Sequence, residues 1–277
     1  MTRSPASSPP PDRPDPAHGP QQRIAPDLRA ALASFAARER ILLSTDFDGV
    51  LAPLVLDPST SRPVAGSMQL LRELAAMPGV FVAVVSGRDL SALQSLSGVA
   101  PHEPIVLVGS HGAEPSRELP LDVAFDDAAR ARLERATAAL TAVAAAHPPT
   151  RLEYKPAGVV LHTRNVPADI AAAATAAALA IQLPGVDIMR GKQIVELSAL
   201  SVTKGDALRA MATKFDTSAT LYLGDDVTDE RAFAVLADDD ANVTIKVGAG
   251  DTSARHRIAD PDAVVDVLRL LSRLRRA

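Results

Sequence analysis

Two aspartates lie two residues apart just after an apolar run. Asp46 and Asp48 stand in the stretch STDFDGVL, which follows Ile-Leu-Leu at 41–43. A turn at the end of a strand needs only one aspartate. A carboxylate can attack phosphorus and form an aspartyl phosphate, and a second one can protonate the leaving alcohol and then deprotonate the attacking water. The spacing therefore suggests phosphoryl transfer, with Asp46 as the nucleophile and Asp48 as the acid/base group.

Other side chains able to do chemistry follow later apolar runs or open a helix. They are Ser86, Lys204, Asp225, Asp226 and Asp229. Several carboxylates placed together would repel one another, and a hard cation such as Mg²⁺, which prefers oxygen ligands, would relieve that repulsion. Ser86 and Lys204 would then hold an anionic group, helped by the backbone amides at the start of a helix near Asp89.

The elements that must position these residues follow an α/β pattern. Strands rich in apolar residues are predicted at 41–45, 81–85, 105–108, 220–223 and 243–247, and the runs at 81–85 and 105–108 are unbroken. Such runs, alternating with helical segments, predict a parallel sheet that is buried on both faces. Ligands bind outside the carboxyl ends of the strands in an open parallel sheet. Because the aspartates and Ser86 follow strand ends, this sheet would bring them together.

The pattern changes between residues 113 and 197. Two Ala-rich helical segments, 126–147 and 167–182, alternate with two predicted strand pairs, which indicates an inserted α+β module. We therefore predict a Rossmann-like parallel-sheet core made of 26–112 and 198–277, interrupted by an insert at 113–197. The first twenty residues hold seven of the 22 prolines, so residues 1–25 are expected to be a disordered tail.

The composition narrows the possible classes of function. The 277-residue chain is 47% hydrophobic, enough for a large core. Its net charge of -4 gives no basic surface of the kind that nucleic-acid binding needs, and its apolar stretches fall short of the roughly 20 residues that span a bilayer. The absence of cysteine excludes disulfides and thiolate chemistry. We expect a cytoplasmic monomer that acts on a small molecule, without a nucleic-acid or membrane partner.

Each motif has a plainer explanation when it is considered alone. Asp-x-Asp-Gly can form an ordinary turn, Ser86 can cap a helix, and the acids at 225–230 can favour a helix N-terminus electrostatically. A lysine near the start of a helix, such as Lys204, is most often solvated. The occurrence of all four together, each beside a predicted strand or helix, favours a shared site.

In this combination the chain resembles the haloacid dehalogenase superfamily of phosphatases. The four motifs of that superfamily correspond to Asp46 with Asp48, to Ser86, to Lys204, and to Asp225 with Asp229. The resemblance implies that Mg²⁺ is held by Asp46, Asp225 and the backbone carbonyl of Asp48. It also implies that Asp226 and Asp229 support the site, and that the insert is a cap closing over the substrate.

Within that superfamily the chain resembles the trehalose-6-phosphate phosphatase family. The motifs that carry this resemblance are SGR at 86–88, GSHGAE at 109–114, EYK at 153–155, HTR at 162–164, GKQIVE at 191–196 and GDDVTDE at 224–230. Val50 stands where Thr is commoner, and Leu197-Ser198 stands where Arg-Pro is expected. The resemblance implies Mg²⁺-dependent hydrolysis of trehalose 6-phosphate through an aspartyl phosphate, the last step of trehalose biosynthesis.

The residues that this resemblance assigns to substrate binding come from the core and from the insert. They are Arg88, His111, Glu114, Glu153, Lys155, Arg164, Lys192 and Glu196. Glu153 and Lys155 stand two apart on a predicted strand, so their side chains share a face. Lys192, at a turn, and Glu196, on the following strand, could join them in binding sugar hydroxyls. The alternative for each of these four is a solvated charge on a hairpin.

Three other functions stay open from the sequence. A phosphatase for another sugar phosphate, such as sucrose 6-phosphate or a mannosyl phosphoglycerate, would use the same core. A catalytically silent sugar-phosphate sensor is a second alternative, although the presence of every predicted catalytic group argues against it. A phospho-receiver domain also carries an Asp cluster, Ser/Thr and Lys on a parallel sheet, but it lacks both the second Asp and the insert.

Overall fold

The computed structural model describes residues 24–121, 125–191 and 193–277. Lys192 and the predicted tail, apart from its last two residues, lie outside these ranges. In chain order the elements are α1 (Pro26–Ala36), β1 (Ile41–Thr45), α2 (Ser67–Ala75), β2 (Val80–Val85), α3 (Leu90–Ser97), β3 (Ile105–Gly109), β4 (Glu114–Pro115), α4 (Asp127–Ala146), β5 (Arg151–Lys155), β6 (Gly158–His162), α5 (Ala168–Leu179), β7 (Asp187–Gly191), β8 (Ile194–Ser198), α6 (Lys204–Phe215), β9 (Ala219–Gly224), α7 (Val227–Leu236), β10 (Val243–Val247), β11 (His256–Ile258) and α8 (Pro261–Arg276).

Within the described residues, seven strands form the larger sheet, in the order β11-β10-β9-β1-β2-β3-β4. Neighbouring strands are parallel except for β3 with β4. β1 lies between β2 and β9, with Thr45 beside Val84 and Leu223. The residues that follow β1 therefore lie between the loops that follow β2 and β9. Every residue of β1, β3, β9 and β10 is buried, which confirms the predicted parallel sheet covered on both faces.

Helices cover both faces of this sheet. Successive residues of a strand point to opposite faces, and here the side chains on both faces are largely apolar. Leu43 of β1 belongs to a cluster with α1, α2 and α8, which includes Leu268. Its neighbour Leu42 belongs to a second cluster with α6 and α7, which includes Met211 and Phe233. The sheet is thus the middle of three layers, and only its strand ends and their loops are open to a ligand.

In the part of the chain that the structure describes, four antiparallel strands form a second, smaller sheet in the order β5-β6-β8-β7. One face packs against α4 and α5, where Leu140 and Ala174 cluster with Leu161. The opposite face carries the alternate side chains, among them Lys155 and Glu196. The predicted α+β insert, which we call the cap, is therefore present, while its boundaries at 113 and 197 stay a prediction.

Some details differ from the sequence prediction. β4 and β11 contain only two and three residues, too few to give an apolar run, and they were not predicted. The second Ala-rich helix ends at Leu179 instead of 182. Among the described residues, no helix is both long and apolar enough to cross a membrane.

Candidate active site

Asp46 lies at the carboxyl end of β1, in the middle of the large sheet. Its backbone N–H donates to the carbonyl of Leu223 at 2.9 Å, so the ladder between β1 and β9 continues through it. The residue is 4% exposed. Its Oδ1 accepts a hydrogen bond from the N–H of Phe47 at 2.5 Å, and its Oδ2 accepts one from Lys204 Nζ at 2.7 Å. These bonds hold the carboxylate in one orientation.

Lys204 is the first residue of α6 and is buried. Thr203 and Asp206 form a capping box that fixes where this helix begins. The Lys204 ammonium donates to Asp46 Oδ2 at 2.7 Å and to Asp229 Oδ1 at 2.8 Å. It therefore links the first and the last of the sequence motifs directly.

Asp229 uses both carboxylate oxygens for bonds within the protein. Its Oδ1 accepts from Lys204 and, at 2.7 Å, from the hydroxyl of Tyr222. Its Oδ2 accepts from the backbone N–H groups of Asp225 and Asp226 at 2.8 and 3.0 Å. These four bonds suit the supporting role predicted for Asp229. Tyr222 was not predicted as part of the site, because in the sequence it is only one residue of a buried strand.

Asp225 packs directly against the glycine turn that follows Asp48. Gly49 has a φ of +78°, and a Cβ at this position would lie 2.0 Å from Asp225 Oδ2. Only glycine adopts this backbone easily and leaves room for the carboxylate. Oxygens of Asp46, Asp225 and Asp229 all lie within 4.8 Å of one another. A donor set made of carboxylate oxygens fits a hard divalent cation such as Mg²⁺.

The pKa values of the site reflect its crowded negative charge. Burial raises the pKa of Asp46 well above its ordinary value; Lys204 opposes the rise and Asp229 adds to it. Burial, followed by the charges of Asp229 and Asp226, raises the pKa of Asp225 to about 7. Burial disfavours the charged form of Lys204, yet Asp229 and Asp46 raise its pKa well above the usual range. One ammonium does not offset this many carboxylates, and a bound cation would.

Asp226 serves a different purpose from its neighbour. Its side chain accepts from the N–H groups of Thr228 and Asp229 at 2.8 and 3.2 Å and so caps α7. Although burial opposes ionisation, Lys204 and the bonds from Thr228 and Asp229 lower the pKa of Asp226 to about 2. Asp226 thereby fixes the start of the helix that carries Asp229 into the site.

Asp48 is held by two loops that are remote from each other in the sequence. Arg88 Nε donates to its Oδ2 at 2.5 Å, and Arg88 Nη2 donates to its Oδ1 at 2.7 Å. The hydroxyl of Ser61 also donates to Oδ1, at 2.9 Å. Ser86 is buried beside them, and its Oγ accepts from the backbone N–H of Arg88 at 3.2 Å. Ser61 was not predicted, because nothing in the sequence distinguishes it from any other loop serine.

Two of the predicted substrate residues, His111 and Glu114, lie in the loop after β3 and at the start of β4, where the backbone is constrained. Ser110 and His111 have φ values of +47° and +55°, which residues other than glycine rarely adopt. A Cβ on Gly87 would lie 2.4 Å from the His111 ring, so the two loops pack tightly. Glu114 accepts from the Ser110 hydroxyl at 2.8 Å and from the N–H of Leu90 at 2.9 Å. Its carboxylate thus braces this loop against α3, and its predicted contact with substrate stays a prediction.

Two of the predicted cap residues contact the core loops. Lys155 Nζ donates to Glu196 Oε2 at 2.8 Å and to the backbone carbonyl of Gly87 at 3.0 Å. His111 Nε2 lies 3.7 Å from Glu196 Oε2. Burial opposes ionisation of Glu196, but His111 and Lys155 lower its pKa below the ordinary value. A small cavity lies between cap and core and is lined by Lys155, Glu196, His111 and Met189, among others.

The remaining cap residues lie elsewhere. Glu153 shares the sheet face of Lys155, as predicted, but its Oε2 lies 2.7 Å from His162 Nε2 and it is half-exposed. The hydrogen bond from His162 lowers the pKa of Glu153. Arg164 contacts the backbone carbonyl of Leu56 in the core and lies 3.4 Å from Gln193 Oε1. Lys192 lies outside the described residues.

The core fold and the order of its motifs agree with the haloacid dehalogenase superfamily. A solved structure, the C-terminal domain of trehalose-6-phosphate phosphatase from C. albicans, matches 88% of this chain and 95% of that chain with a TM-score of 0.72 and 23% identity. The trehalose-phosphatase family model matches residues 44–264. The chain therefore belongs to the trehalose-phosphatase family.

Curated relatives support this membership and are longer than the chain. A bifunctional trehalose-6-phosphate synthase/phosphatase of Thermoproteus tenax is 33% identical over 236 residues, which cover 82% of this chain and 31% of that protein. A trehalose-phosphate phosphatase of Mycolicibacterium paratuberculosis is 36% identical over 197 residues, which cover 68% of this chain and 49% of that protein. The matches thus take in from under a third to about half of the length of these relatives.

Proposed function

We propose that the protein is a Mg²⁺-dependent phosphatase that hydrolyses trehalose 6-phosphate to trehalose and phosphate through an aspartyl phosphate. The observation that carries this proposal is the geometry of Asp46: a buried carboxylate at the end of the central strand, bonded to Lys204 and within 4.8 Å of Asp225 and Asp229. Membership of the trehalose-phosphatase family supports the choice of substrate.

Mg²⁺ would be held by Asp46, Asp225 and the backbone carbonyl of Asp48, and it would neutralise charge that develops on the transferred phosphoryl group. Lys204 favours the ionised form of Asp46 and orients the carboxylate, because its ammonium bonds directly to it. A carboxylate oxygen of Asp46 attacks phosphorus, and the bond between phosphorus and the sugar oxygen breaks.

Asp48 supplies and removes the proton. It donates a proton to the sugar oxygen as that oxygen leaves, and it then takes a proton from the water that attacks the aspartyl phosphate. The second attack releases inorganic phosphate and regenerates the Asp46 carboxylate. The two bonds from Arg88 and the one from Ser61 orient Asp48 for this work, and Ser86 offers its hydroxyl to a phosphoryl oxygen beside them.

The cap would supply selectivity for the sugar. Lys155, Glu196 and His111 border the cavity between cap and core, and a sugar presents hydroxyl groups that such polar side chains bind. Arg164, whose guanidinium contacts the carbonyl of Leu56, links the cap to the loop after β1. We also infer that the protein acts as a monomer in the cytoplasm, which size-exclusion chromatography and cell fractionation would check.

The test is phosphate release from a panel of sugar phosphates, measured with Mg²⁺ and with excess chelator. We expect trehalose 6-phosphate to be hydrolysed fastest, and we expect chelator to abolish turnover. Faster hydrolysis of sucrose 6-phosphate or a mannosyl phosphoglycerate would transfer the proposal to that substrate. Tight binding of trehalose 6-phosphate without any turnover would favour the sensor alternative, and full activity in chelator would contradict the mechanism.

A further inference from the structure

Lys246 is a buried lysine that no sequence motif includes. It is the fourth residue of β10, where it pairs with Gly224 of β9, and it is 5% exposed. Its Nζ donates to the backbone carbonyl of Asp225 at 2.6 Å and lies 3.3 Å from Glu230 Oε1. A buried ammonium is costly unless such partners compensate it. The chain therefore places a charged residue at a buried position of the central sheet, held by these two partners.

Glu230 extends this contact to a third segment. Its Oε2 accepts from the backbone N–H and the hydroxyl of Ser253 at 2.8 and 2.9 Å, and from the hydroxyl of Thr252 at 3.3 Å. Lys246 and Glu230 thus connect the end of β9, the first turn of α7 and the loop between β10 and β11. Among these groups, Lys246 makes the bond to the backbone of Asp225.

We propose that Lys246 is a positioning residue that fixes the backbone at Asp225 and thereby sets the affinity of the site for its divalent cation. The contact is made to the carbonyl of Asp225, so the ammonium leaves both carboxylate oxygens available to a cation. Lys204 differs in this respect, because it occupies Oδ2 of Asp46. The Asp225 carboxylate packs so closely against Gly49 that a Cβ at position 49 would lie 2.0 Å from Asp225 Oδ2. A displaced backbone at Asp225 would move the carboxylate out of this position. The inference rests on the metal requirement in the proposed function.

The test compares Lys246→Met with a matched control, Lys214→Met. Lys214 also donates its Nζ to a backbone carbonyl, that of Glu118, but on the exposed surface of α6. Two quantities are measured: the Mg²⁺ concentration that gives half of the Mg²⁺-induced rise in unfolding temperature without substrate, and the Mg²⁺ concentration for half-maximal phosphate release. Loss of a residue that orients a metal ligand typically weakens metal affinity by about 10- to 100-fold. We therefore expect both Mg²⁺ concentrations to rise by about 10- to 100-fold in Lys246→Met and to stay unchanged in Lys214→Met.

A second variant keeps the proposal testable if Lys246→Met does not fold. Glu230→Gln retains the size of the side chain and the bond from Lys246 to Asp225, so we expect a smaller rise in the required Mg²⁺. A lower unfolding temperature in chelator together with an unchanged Mg²⁺ requirement, in the variants that fold, would mean that Lys246 only stabilises the fold and would overturn the proposal. A wild-type protein that does not respond to Mg²⁺ would overturn the proposed function as well, which separates the two failures.

Discussion

The parallel core and the cap hold their polar residues in different ways. In the core, Asp46, Lys204 and Asp229 are buried, and each bonds to at least two groups from different elements. In the cap, β5 is largely exposed, and Glu153 has a single partner on the same sheet. The core can therefore keep a reactive geometry before any ligand arrives. The polar residues on the open face of the cap would gain further partners only when a ligand binds between cap and core.

This difference also has an energetic side. Removing one member of the buried network leaves a charged partner without compensation, which is strongly destabilising. Exposed pairs such as Glu153 with His162 contribute little, about 0.2–1 kcal/mol. Every substrate would use the core site, whereas only a sugar would reach the cap. We expect substitutions in the core to lower turnover of every substrate, and substitutions in the cap to lower turnover only of substrates that carry a sugar.

The largest expected effect is that of Asp46→Asn. Loss of the nucleophile should reduce turnover by at least about a thousandfold, or roughly 4 kcal/mol of activation free energy. The loss should be equal for trehalose 6-phosphate and for a small aryl phosphate, because both use the core. Circular dichroism should show that the fold is kept. Substantial turnover by the purified variant would remove Asp46 from the nucleophile role.

Lys155→Ala should separate the two regions. Hydrogen bonds that involve charged groups contribute roughly 1.5–3 kcal/mol, so kcat/KM for trehalose 6-phosphate should fall by roughly 10- to 150-fold. Hydrolysis of the aryl phosphate should change little. Equal losses for both substrates would assign Lys155 to the Ser86 loop instead, through its bond to the carbonyl of Gly87.

The sequence was sufficient to predict that the core residues lie together, because their convergence depends on one rule of parallel sheets. Asp46, Ser86 and Asp225 follow strands that are rich in apolar residues, and the carboxyl ends of such strands meet at one edge. The partners of these residues could not be predicted in the same way. The bonds from Ser61 to Asp48 and from Lys246 to Asp225 depend on loop paths and sheet order, which leave no local pattern in the sequence.

In the cap, too, the sequence predicted the direction of side chains on a strand but not their partners. Alternation predicted that Glu153 and Lys155 share a face, and they do. It could not predict that the register of β5 with β6 places His162 within hydrogen-bond distance of Glu153, or that Lys155, and not Glu153, contacts the core. We therefore revise the expectation for these two residues, which the sequence alone treats as equivalent.

Glu153→Ala should have a smaller effect than Lys155→Ala. Its carboxylate is half-exposed and paired with His162, and such pairs contribute at most about 1 kcal/mol. We expect kcat/KM for trehalose 6-phosphate to fall by less than about fivefold, with little change in the free energy of unfolding. A loss as large as that of Lys155→Ala would show that Glu153 exchanges His162 for a sugar hydroxyl when the substrate binds.

The smallest expected effect is a pH dependence of stability that originates at Glu196. Burial opposes its ionisation, but His111 and Lys155 lower its pKa in the folded protein below the ordinary value of 4.5. A lowered pKa means that ionised Glu196 stabilises the folded state above pH 4.5, and that this contribution is lost as the pH falls through the folded pKa. Free energies of unfolding in urea, measured from about pH 7 down to about pH 3 for wild type and Glu196→Gln, should therefore differ at the upper end and converge at the lower end. Other carboxylates titrate in the same range, but they are common to both proteins and cancel in the difference. A difference that stays constant with pH would show that Glu196 contributes to stability through packing instead of charge.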